Sequence, residues 1–275
     1  MDLREQLNHA LPRFLRRCDA SSTRLAYKRE LWRFLEWLPD EVGDELLFDY
    51  RDHLRARGLG PTTVRWRTTV IRAFLQFAER RGYVDQQLAG DFRPPKGKTG
   101  FAPRVLTQAE LDRLIAAPDR RTRRGRRDAL VLVCLGVGGL RASEVCRLNA
   151  EDVVIHDDRF ILRVLGKRKK ERLVPILGYQ DLARGYLASW PEARRTAPLF
   201  LGGYQGRESK RLTLSGVDYL VRRQAEAVDI VGISAHSLRH TAASLAVDAG
   251  EPLHRLRDRL GHSSVLVTSK YLHVG

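Results

Sequence analysis

The feature that most limits how this chain can fold is the segment RPPKGKTGFAP, residues 93–103, which has neither helical nor strand periodicity. Its three prolines and two glycines interrupt regular structure, and its two lysines favour exposure to solvent. Apolar residues return at helical spacing on both sides of it. The sequence therefore predicts an exposed linker at 93–103 between two domains, 1–92 and 104–275, and 275 residues suffice for two modest cores.

The first domain is predicted to be helical. In TRLAYKRELWRFLEWL, residues 23–38, apolar side chains fall near one stripe while basic side chains cover the other faces. The predicted stripe consists of Leu25, Leu31, Trp32, Leu35 and Leu38. A second helix is predicted to begin at Thr62 or Thr63 as its N-cap and to stop at Gly82.

The second domain is predicted to be mainly helical as well. It begins with LTQAEL, in which Thr107 is a predicted N-cap and Glu110 occupies the capping-box position. Gly250 is the predicted stop of a later helix, and Pro252 opens the next one. The later helical patterns cover residues 179–188, 213–228 and 235–248, with a final short helix after Gly261.

One region of the second domain has the pattern of strands. The runs RFILRVL and ERLVPI are short and β-like, they follow a turn at HDD, and they flank the basic segment GKRKK, residues 166–170. This arrangement predicts an antiparallel hairpin or meander with a basic turn. The predicted fold class is therefore mainly α with a small antiparallel β-sheet.

The charge of the chain favours a polyanionic partner. Lys and Arg number 49 against 33 Asp and Glu, giving a formal net charge of +16. The excess is present in both parts, with 19 against 14 in residues 1–100 and 30 against 19 in residues 101–275. Nucleic acid is the first candidate partner and an anionic membrane surface the second.

Other bulk features argue against a membrane protein, a secreted protein or a zinc ribbon. The longest apolar run, residues 129–140, has 12 residues where about 20 would be needed to span a bilayer, so it predicts a buried helix. The first residues are charged and carry no export signal, which predicts a cytoplasmic protein with no membrane partner. The three cysteines, Cys18, Cys134 and Cys146, form no C-x-x-C pair and are predicted to be small buried side chains.

The segment AHSLRHT places two imidazoles and a guanidinium at helical spacing. His236 and His240 have the i, i+4 spacing of zinc helices, but Ser237 stands where a metalloprotease needs Glu, and Arg239 would repel a divalent cation. As an anion site the same face is reasonable, because guanidinium and imidazole groups both donate to phosphate oxygens. A surface helix with incidental His and Arg residues is the alternative.

Three further segments have similar ambiguity when each is taken alone. In GLRASE, Arg141 is predicted at a helix junction with Glu144 one turn later, where the two could form only a capping ion pair. GKRKKER has five basic residues in the six from 167 to 172, which could be only a solvated loop. In LGHSSVLVTSKYLH, His262 and Tyr271 flank a predicted short helix, and the tyrosine could serve only packing.

Together these segments contain the groups needed to break a phosphodiester without a metal or nucleotide. Such a reaction needs a nucleophile, positive donors around the phosphate oxygens and an acid for the leaving oxygen. Tyr271 can be the nucleophile, Arg141 and Arg239 can hold the non-bridging oxygens, and Lys167 on the hairpin can protonate the leaving 5′ oxygen. His236 and His262 can add donors or move the proton of the nucleophile.

The chain resembles the tyrosine recombinases of the phage integrase and Xer-type family. GLRASE is similar to the first arginine box, AHSLRHT and LGHSS to the second box, SKYLH to the nucleophile segment and LGKRKKERLVPI to the lysine hairpin. The resemblance implies a helical core-binding domain of the SAM-like type followed by a tyrosine-recombinase catalytic domain. It also implies a covalent 3′-phosphotyrosyl intermediate on duplex DNA, no cofactor, and a tetramer of one recombinase or of two different ones.

By matching position, the resemblance also implies the site residues. The catalytic set is Arg141, Lys167, His236, Arg239, His262 and Tyr271. Glu144 and His240 match as supporting residues. Six arginines in the eight residues 120–127, together with the hairpin turn, predict phosphate contacts, with a solvated loop as the alternative. The predicted DNA-binding residues are Arg120, Arg121, Arg123, Arg124, Arg168, Lys169 and Lys170.

The sequence therefore predicts a site-specific recombinase or integrase. A tyrosine-type topoisomerase would use similar chemistry on one strand without pairing two sites. A DNA-binding architectural protein or repressor would bind without cutting. A metal-dependent nuclease is disfavoured, because no cluster of Asp and Glu coincides with the basic segments.

Overall fold

The structure is a computed structural model in which the chain divides into two compact units, Met1–Phe101 and Ala102–Gly275. The described residues are 2–43, 45–85, 87–95, 104–156, 159–166, 170–188, 196–203 and 210–261, without the side chains of His156 and Arg159. Most of the predicted linker at 93–103 lies outside these ranges.

The first unit is built from helices that enclose one apolar core. The helices are α1 (Leu3–Arg16), α2 (Ser21–Trp37), α3 (Leu46–Ala56) and α4 (Pro61–Arg80). Phe34 and Phe74 are fully buried in this core, and the Phe14 ring packs edge-on against Phe74 at 5.3 Å between centroids. The unit therefore has an apolar core of its own, in which aromatic side chains pack among leucines.

The apolar stripe predicted on α2 is partly wrong. Leu31, Leu35 and Leu38 are buried as expected, but Leu25 is 65% exposed and Trp32 is 54% exposed. At 100° per residue, Trp32 lies a quarter turn away from Leu31, and the buried face is completed by Phe34 instead.

The predicted start of α4 is also wrong by two or three residues. Gly60 is the N-cap and Pro61 is the first helical residue, so neither Thr62 nor Thr63 caps the helix. Proline is well suited to that position because its fixed φ is helical and its missing N–H would have no partner there. The stop at Gly82 is confirmed, since this residue has φ +66° directly after the helix.

The second unit is mainly helical and contains small antiparallel sheets, which confirms the predicted fold class. Its helices are α5 (Gln108–Ala116), α6 (Arg123–Gly136), α7 (Ala142–Val145), α8 (Gln180–Leu187), α9 (Leu214–Glu226), α10 (Ala235–Asp248) and α11 (Leu253–Leu260). Its strands are β1 (Val153–His156), β2 (Arg159–Leu165), β3 (Glu171–Leu177), β4 (Leu201–Gly202) and β5 (Lys210–Arg211).

The predicted meander is confirmed as a three-stranded sheet in the order β1-β2-β3, with Val164 opposite Arg172. Along β3 the buried side chains alternate, so that Arg172 lies on the same face as Val174 and Ile176. This face covers the core of the unit. Arg172 is therefore directed inward, although it belongs to the basic segment GKRKKER, whose last two residues begin β3.

Helix α6 is the central element of the second unit. The predicted buried helix is correct up to Gly136, where α6 ends, and every residue from Ala129 to Gly136 is buried. Gly139, at φ +67°, then turns the chain toward α7, and a Cβ added there would lie 2.6 Å from Leu260 Cδ2. Only glycine fits this turn, which positions the residues that follow it.

Other predicted helix signals are confirmed. Thr107 and Glu110 form the capping box at the start of α5, with Glu110 N–H donating to Thr107 Oγ1 at 3.2 Å. Gly250 and Gly261 both have left-handed conformations after α10 and α11. No helix in the described ranges is long and apolar enough to cross a membrane.

Candidate active site

Arg141 stands at the junction between the turn at Gly139 and α7. It is the N-cap of this four-residue helix, with extended φ and ψ of −73° and 148°. Its Nη1 donates to Glu144 Oε1 at 2.9 Å, and its Nη2 lies 3.4 Å from the carbonyl oxygen of Gly261. These two contacts hold the guanidinium in place. Because 42% of the side chain is exposed, the guanidinium is also accessible to a ligand.

Glu144 is the buried carboxylate at which several cationic side chains meet. It accepts the Arg141 N–H at 2.9 Å, so it also closes the first turn of α7. Two side chains, Arg141 and Arg172, donate to its oxygens, and Arg239 Nη1 lies 3.9 Å from Oε2. Burial alone would raise the pKa of Glu144, but the hydrogen bonds from Arg172 and Arg141 and their charges outweigh burial and lower the pKa.

Arg239 is held by backbone carbonyl groups from two separate segments. Its Nη1 donates to the Gly139 oxygen at 2.6 Å and its Nη2 to the Leu260 oxygen at 2.7 Å. The residue is only 3% exposed. Its position on α10 therefore fixes the glycine turn and the end of α11 around one buried guanidinium.

Arg172 also belongs to this cluster, although the sequence pattern did not single it out. It was predicted as one of several basic residues in the hairpin segment, yet its side chain is only 12% exposed and forms two hydrogen bonds to Glu144. The available signal was the alternation in β3, where Arg172 falls in phase with Val174 and Ile176. A charged residue on a buried strand face requires a partner, and Glu144 is that partner.

His236 and His240 lie on the same side of α10 and contact each other. Their Nε2 atoms are 2.9 Å apart, and the ring planes are nearly perpendicular at 89°. One Nε2 must carry the hydrogen and the other must accept it, so the contact joins two neutral rings or one neutral and one charged ring. Burial, and then the charges of His236 and Arg239, lower the pKa of His240 to about 4.

The structure brings three predicted site residues, Arg141, Glu144 and Arg239, together with Arg172 in the second unit. His236 and His240, which are also predicted site residues, contact each other on α10 within a turn of Arg239. Five more predicted site residues lie outside the described residues. They are Lys167, Arg168, Lys169, His262 and Tyr271.

The predicted DNA-binding arginines before and at the start of α6 have different surroundings. Arg121 is paired with Asp119 at 2.9 Å and its side chain is 92% exposed. Arg120 donates to the carbonyl oxygen of Ile115 at 3.1 Å. Arg123 and Arg124 form the first turn of α6, where the positive end of the helix dipole disfavours cations.

Arg124 also borders a basic cavity of about 690 Å³. Other cationic residues lining this cavity are Arg127, Lys210, Arg211 and Arg223.

Lys170 is exposed at the end of the hairpin segment, where its carbonyl oxygen accepts the Gly166 N–H at 2.8 Å. Arg127 differs from its neighbours because it is buried against Asp128, with Nη2 and Oδ1 2.6 Å apart.

The chemistry available at this site is the binding of an anion. Three guanidinium groups and one carboxylate leave a net positive charge, and the exposed Arg141 side chain can donate to an oxyanion. Within the described ranges no group of three or more His, Cys, Asp or Glu residues is arranged to hold a metal ion.

Comparison with known proteins identifies the family of this chain. Residues 104–275 match the model of the phage integrase family, and residues 13–82 match the N-terminal SAM-like domain of phage integrases. The tyrosine recombinase XerC of Roseiflexus castenholzii is 31% identical over 272 residues, covering 93% of this chain and 84% of the relative. The tyrosine recombinase XerD of Ralstonia nicotianae is 32% identical over 271 residues, with the same coverage of 93% and 84%.

A solved structure has the same fold. A lambda integrase fragment, crystallised as a dimer bound to a core site, aligns with a TM-score of 0.73 at 18% identity and covers 98% of this chain and 95% of that one. The chain belongs to the phage integrase family. Within this family it is a tyrosine recombinase, an enzyme of site-specific DNA recombination.

Proposed function

We propose that this recombinase cuts and rejoins duplex DNA through Tyr271. The phenol oxygen of Tyr271 attacks the phosphorus of the scissile phosphodiester, a 3′-phosphotyrosyl bond forms, and the bond to the 5′ oxygen breaks. The released 5′ oxygen takes up a proton and leaves as a hydroxyl. Because the number of phosphoester bonds is unchanged, a second 5′ hydroxyl can reverse the reaction and join a new strand.

The observation that carries this proposal is the convergence of guanidinium groups on Glu144. The reacting phosphate gains negative charge as the nucleophile attacks, and preformed donors at that position lower the barrier, each by about 3 kcal/mol in comparable oxyanion sites. Arg141 and Arg239 are held by Glu144 and by backbone carbonyl oxygens, so they are in place before the phosphate arrives. This preorganisation supports the assignment of Arg141 and Arg239 as hydrogen-bond donors to the oxygens of the scissile phosphate.

The other roles follow from the chemistry of the side chains. We assign Lys167 as the acid for the leaving 5′ oxygen, and His236 and His262 as donors or as carriers of the Tyr271 proton. Glu144 and His240 support Arg141 and His236, which they contact. In this scheme the reaction uses no metal, nucleotide or other cofactor.

The proposed substrate is double-stranded DNA in the cytoplasm, contacted through Arg120, Arg121, Arg123, Arg124, Arg168, Lys169 and Lys170. The net charge of +16 supports a polyanionic substrate, and the lambda integrase neighbour was crystallised on a DNA core site. We propose that both domains, 1–92 and 104–275, bind DNA and that the linker 93–103 joins them. The proposed active assembly is a tetramer of this chain, or of this chain with a second recombinase, on two paired sites.

The test is replacement of Tyr271 by phenylalanine. Tyr271→Phe is expected to bind DNA like the wild-type protein but to form no covalent adduct with a nicked suicide substrate, because the attacking oxygen is missing. Tyr219→Phe is the matched control, since Tyr219 is 61% exposed on α9 and is expected to leave adduct formation unchanged.

The attachment site is then identified by mass spectrometry of the denatured, DNA-bearing peptide. An adduct that persists in Tyr271→Phe, or that maps to another residue, contradicts the assignment. Wild-type protein that binds DNA but never forms an adduct contradicts the proposed function and favours an architectural DNA-binding protein.

A further inference from the structure

Arg172 connects three segments of the second unit through one guanidinium group. Its Nη1 and Nη2 donate to the two oxygens of Glu144 at 3.0 and 2.9 Å, and its Nε donates to the Arg259 carbonyl oxygen at 2.7 Å. We propose that Arg172 is a positioning residue that holds Glu144 so that Arg141 is presented to the scissile phosphate. This inference rests on the proposed function, because it assigns a role in the same reaction.

The two hydrogen bonds form a parallel fork that only arginine can provide. A carboxylate offers two oxygens in one plane, and the guanidinium presents two N–H groups with matching spacing. With 12% of the Arg172 side chain and 2% of the Glu144 side chain exposed, the pair is largely shielded from water. Lysine would keep the charge but could not occupy both oxygens and the Arg259 carbonyl at once.

The charge balance explains why Arg141 depends on this pair. The charged groups that face Glu144 in the described part of the unit are Arg141 from α7, Arg172 from β3 and Arg239 from α10. Arg172 neutralises Glu144 through two bonds, whereas Arg141 uses one side-chain nitrogen. Without Arg172, Arg141 would be the main counter-ion of Glu144, and less of its positive charge would act on a phosphate.

The position of Arg172 also links β3 to the end of α11. Its guanidinium packs against Gly261, where an added Cβ would lie 3.1 Å from Nη1. Gly261 is followed in sequence by His262, and β3 follows the segment that contains Lys167. The Arg172 side chain on β3 therefore contacts both α7 and α11. Loss of this side chain is expected to slow the chemical step more than it weakens DNA binding.

The first experiment measures the two steps separately in Arg172→Gln. At saturating protein, the rate of covalent adduct formation on a suicide substrate is expected to fall about 100-fold, as expected when a reacting group is displaced by about 1 Å. The DNA dissociation constant is expected to change less than about threefold, since Arg172 is not placed on the phosphate. Arg163→Gln is the control, because Arg163 on β2 pairs with Asp152 at 3.2 Å and is half exposed.

A double-mutant cycle tests whether Arg172 acts through Glu144. If it does, Arg172→Gln is expected to reduce the rate of adduct formation by less than about threefold when it is added to Glu144→Gln, because the carboxylate that Arg172 positions is already replaced.

The dependence of the adduct-formation rate on pH is a second readout, on the acid side of the profile. Losing Arg172 removes two hydrogen bonds and a charge that lower the pKa of Glu144, so the acid side of the profile is expected to move to higher pH in Arg172→Gln. The shift is expected to be absent in the double variant.

The outcomes separate this inference from the proposed function. Adduct formation at the wild-type rate in Arg172→Gln overturns the positioning role. The role is also overturned if Arg172→Gln lowers the rate as much in the Glu144→Gln background as it does in the wild-type protein. The assignment of Tyr271 is tested separately, by Tyr271→Phe. If Arg172→Gln does not fold, as judged by thermal unfolding, Arg172→Lys is used. Arg172→Lys keeps the positive charge but not the pair of parallel hydrogen bonds to Glu144. Cleavage at the wild-type rate by this variant therefore also overturns the inference.

Discussion

The buried carboxylate of Glu144 shows how much of this site is decided by single side chains. An isolated carboxylate would be costly to bury, and it is stable here because arginine side chains and a backbone N–H satisfy both oxygens. The same carboxylate fixes Arg141, which has no other short side-chain hydrogen bond in the described structure. A residue predicted only as supporting thus determines where the first arginine of the site lies.

His240 gives a prediction about stability and pH. Its pKa is lowered to about 4 in the folded protein, from an ordinary value of 6.5, so the unfolded chain binds a proton that the folded chain resists. Its contribution to stability is therefore complete above pH 6.5 and is lost as the pH falls from 6.5 toward 4. In His240→Gln, the free energy of unfolding is expected to fall less between pH 7 and pH 4.5 than in the wild-type protein.

The measurement is denaturant unfolding at both pH values. His254→Gln is the control, because it makes the same substitution at an imidazole that is exposed on α11. An identical pH dependence in His240→Gln and wild type would show that the buried imidazole is not responsible.

Helix ends position the site more than helix interiors do. The turn at Gly139 brings Arg141 to the start of α7, and the left-handed Gly261 ends α11 beside Arg172. Both glycines provide carbonyl oxygens to arginine side chains, Gly139 to Arg239 and Gly261 to Arg141. A positive φ at these positions lets the chain reverse direction while its carbonyl groups point toward the cationic cluster.

Gly261→Ala tests the role of this helix end. The substitution places a Cβ in a left-handed residue, which costs about 1 kcal/mol, and 3.1 Å from the Arg172 guanidinium. It is expected to reduce the rate of adduct formation at least tenfold. Gly250→Ala is the matched control, because Gly250 also follows a helix with φ +78° but has nothing within 4 Å of an added Cβ.

Both variants are expected to lose similar stability in thermal unfolding, and only Gly261→Ala is expected to lose cleavage. Equal cleavage rates in the two variants would mean that contact with Arg172 at this helix end has no effect on the reaction.

The whole molecule has two basic units, each with its own apolar core. If both units contact DNA, the logarithm of affinity is expected to fall linearly with the logarithm of salt concentration, with a slope of about 0.9 for each phosphate neutralised. A fragment of residues 104–275 is expected to bind more weakly and with a shallower slope than the full chain. Filter binding or fluorescence anisotropy over a range of salt concentrations measures both quantities.

The control for the fragment is its circular dichroism spectrum and thermal unfolding, which establish that it is folded. A folded fragment that binds as tightly as the full chain, with the same slope, would show that residues 1–92 make no contribution to DNA binding.

Local signals in the sequence determined many elements of this protein. The capping box at Thr107 and Glu110, the stops at Gly82 and Gly261, and the alternating strands β2 and β3 depend on residues close to each other in the chain. Such signals are visible in sequence because their physical causes are local hydrogen bonds and backbone freedom. The resemblance of the separate boxes to known recombinases also identified the family, because the order and spacing of motifs are properties of the sequence.

Tertiary structure alone decided which cationic side chains meet. Arg172 is 28 residues from Glu144 and Arg239 is 100 residues from the Gly139 carbonyl that it contacts. The alternation in β3 places Arg172 on the inward face, but it does not identify Glu144 as the partner, because a buried charge is stable only where a distant partner lies opposite. Likewise, the exposure of Leu25 and Trp32 depends on which face of α2 the neighbouring helices cover. Partner choice and burial are properties of the packed chain, since both depend on contacts between segments far apart in sequence.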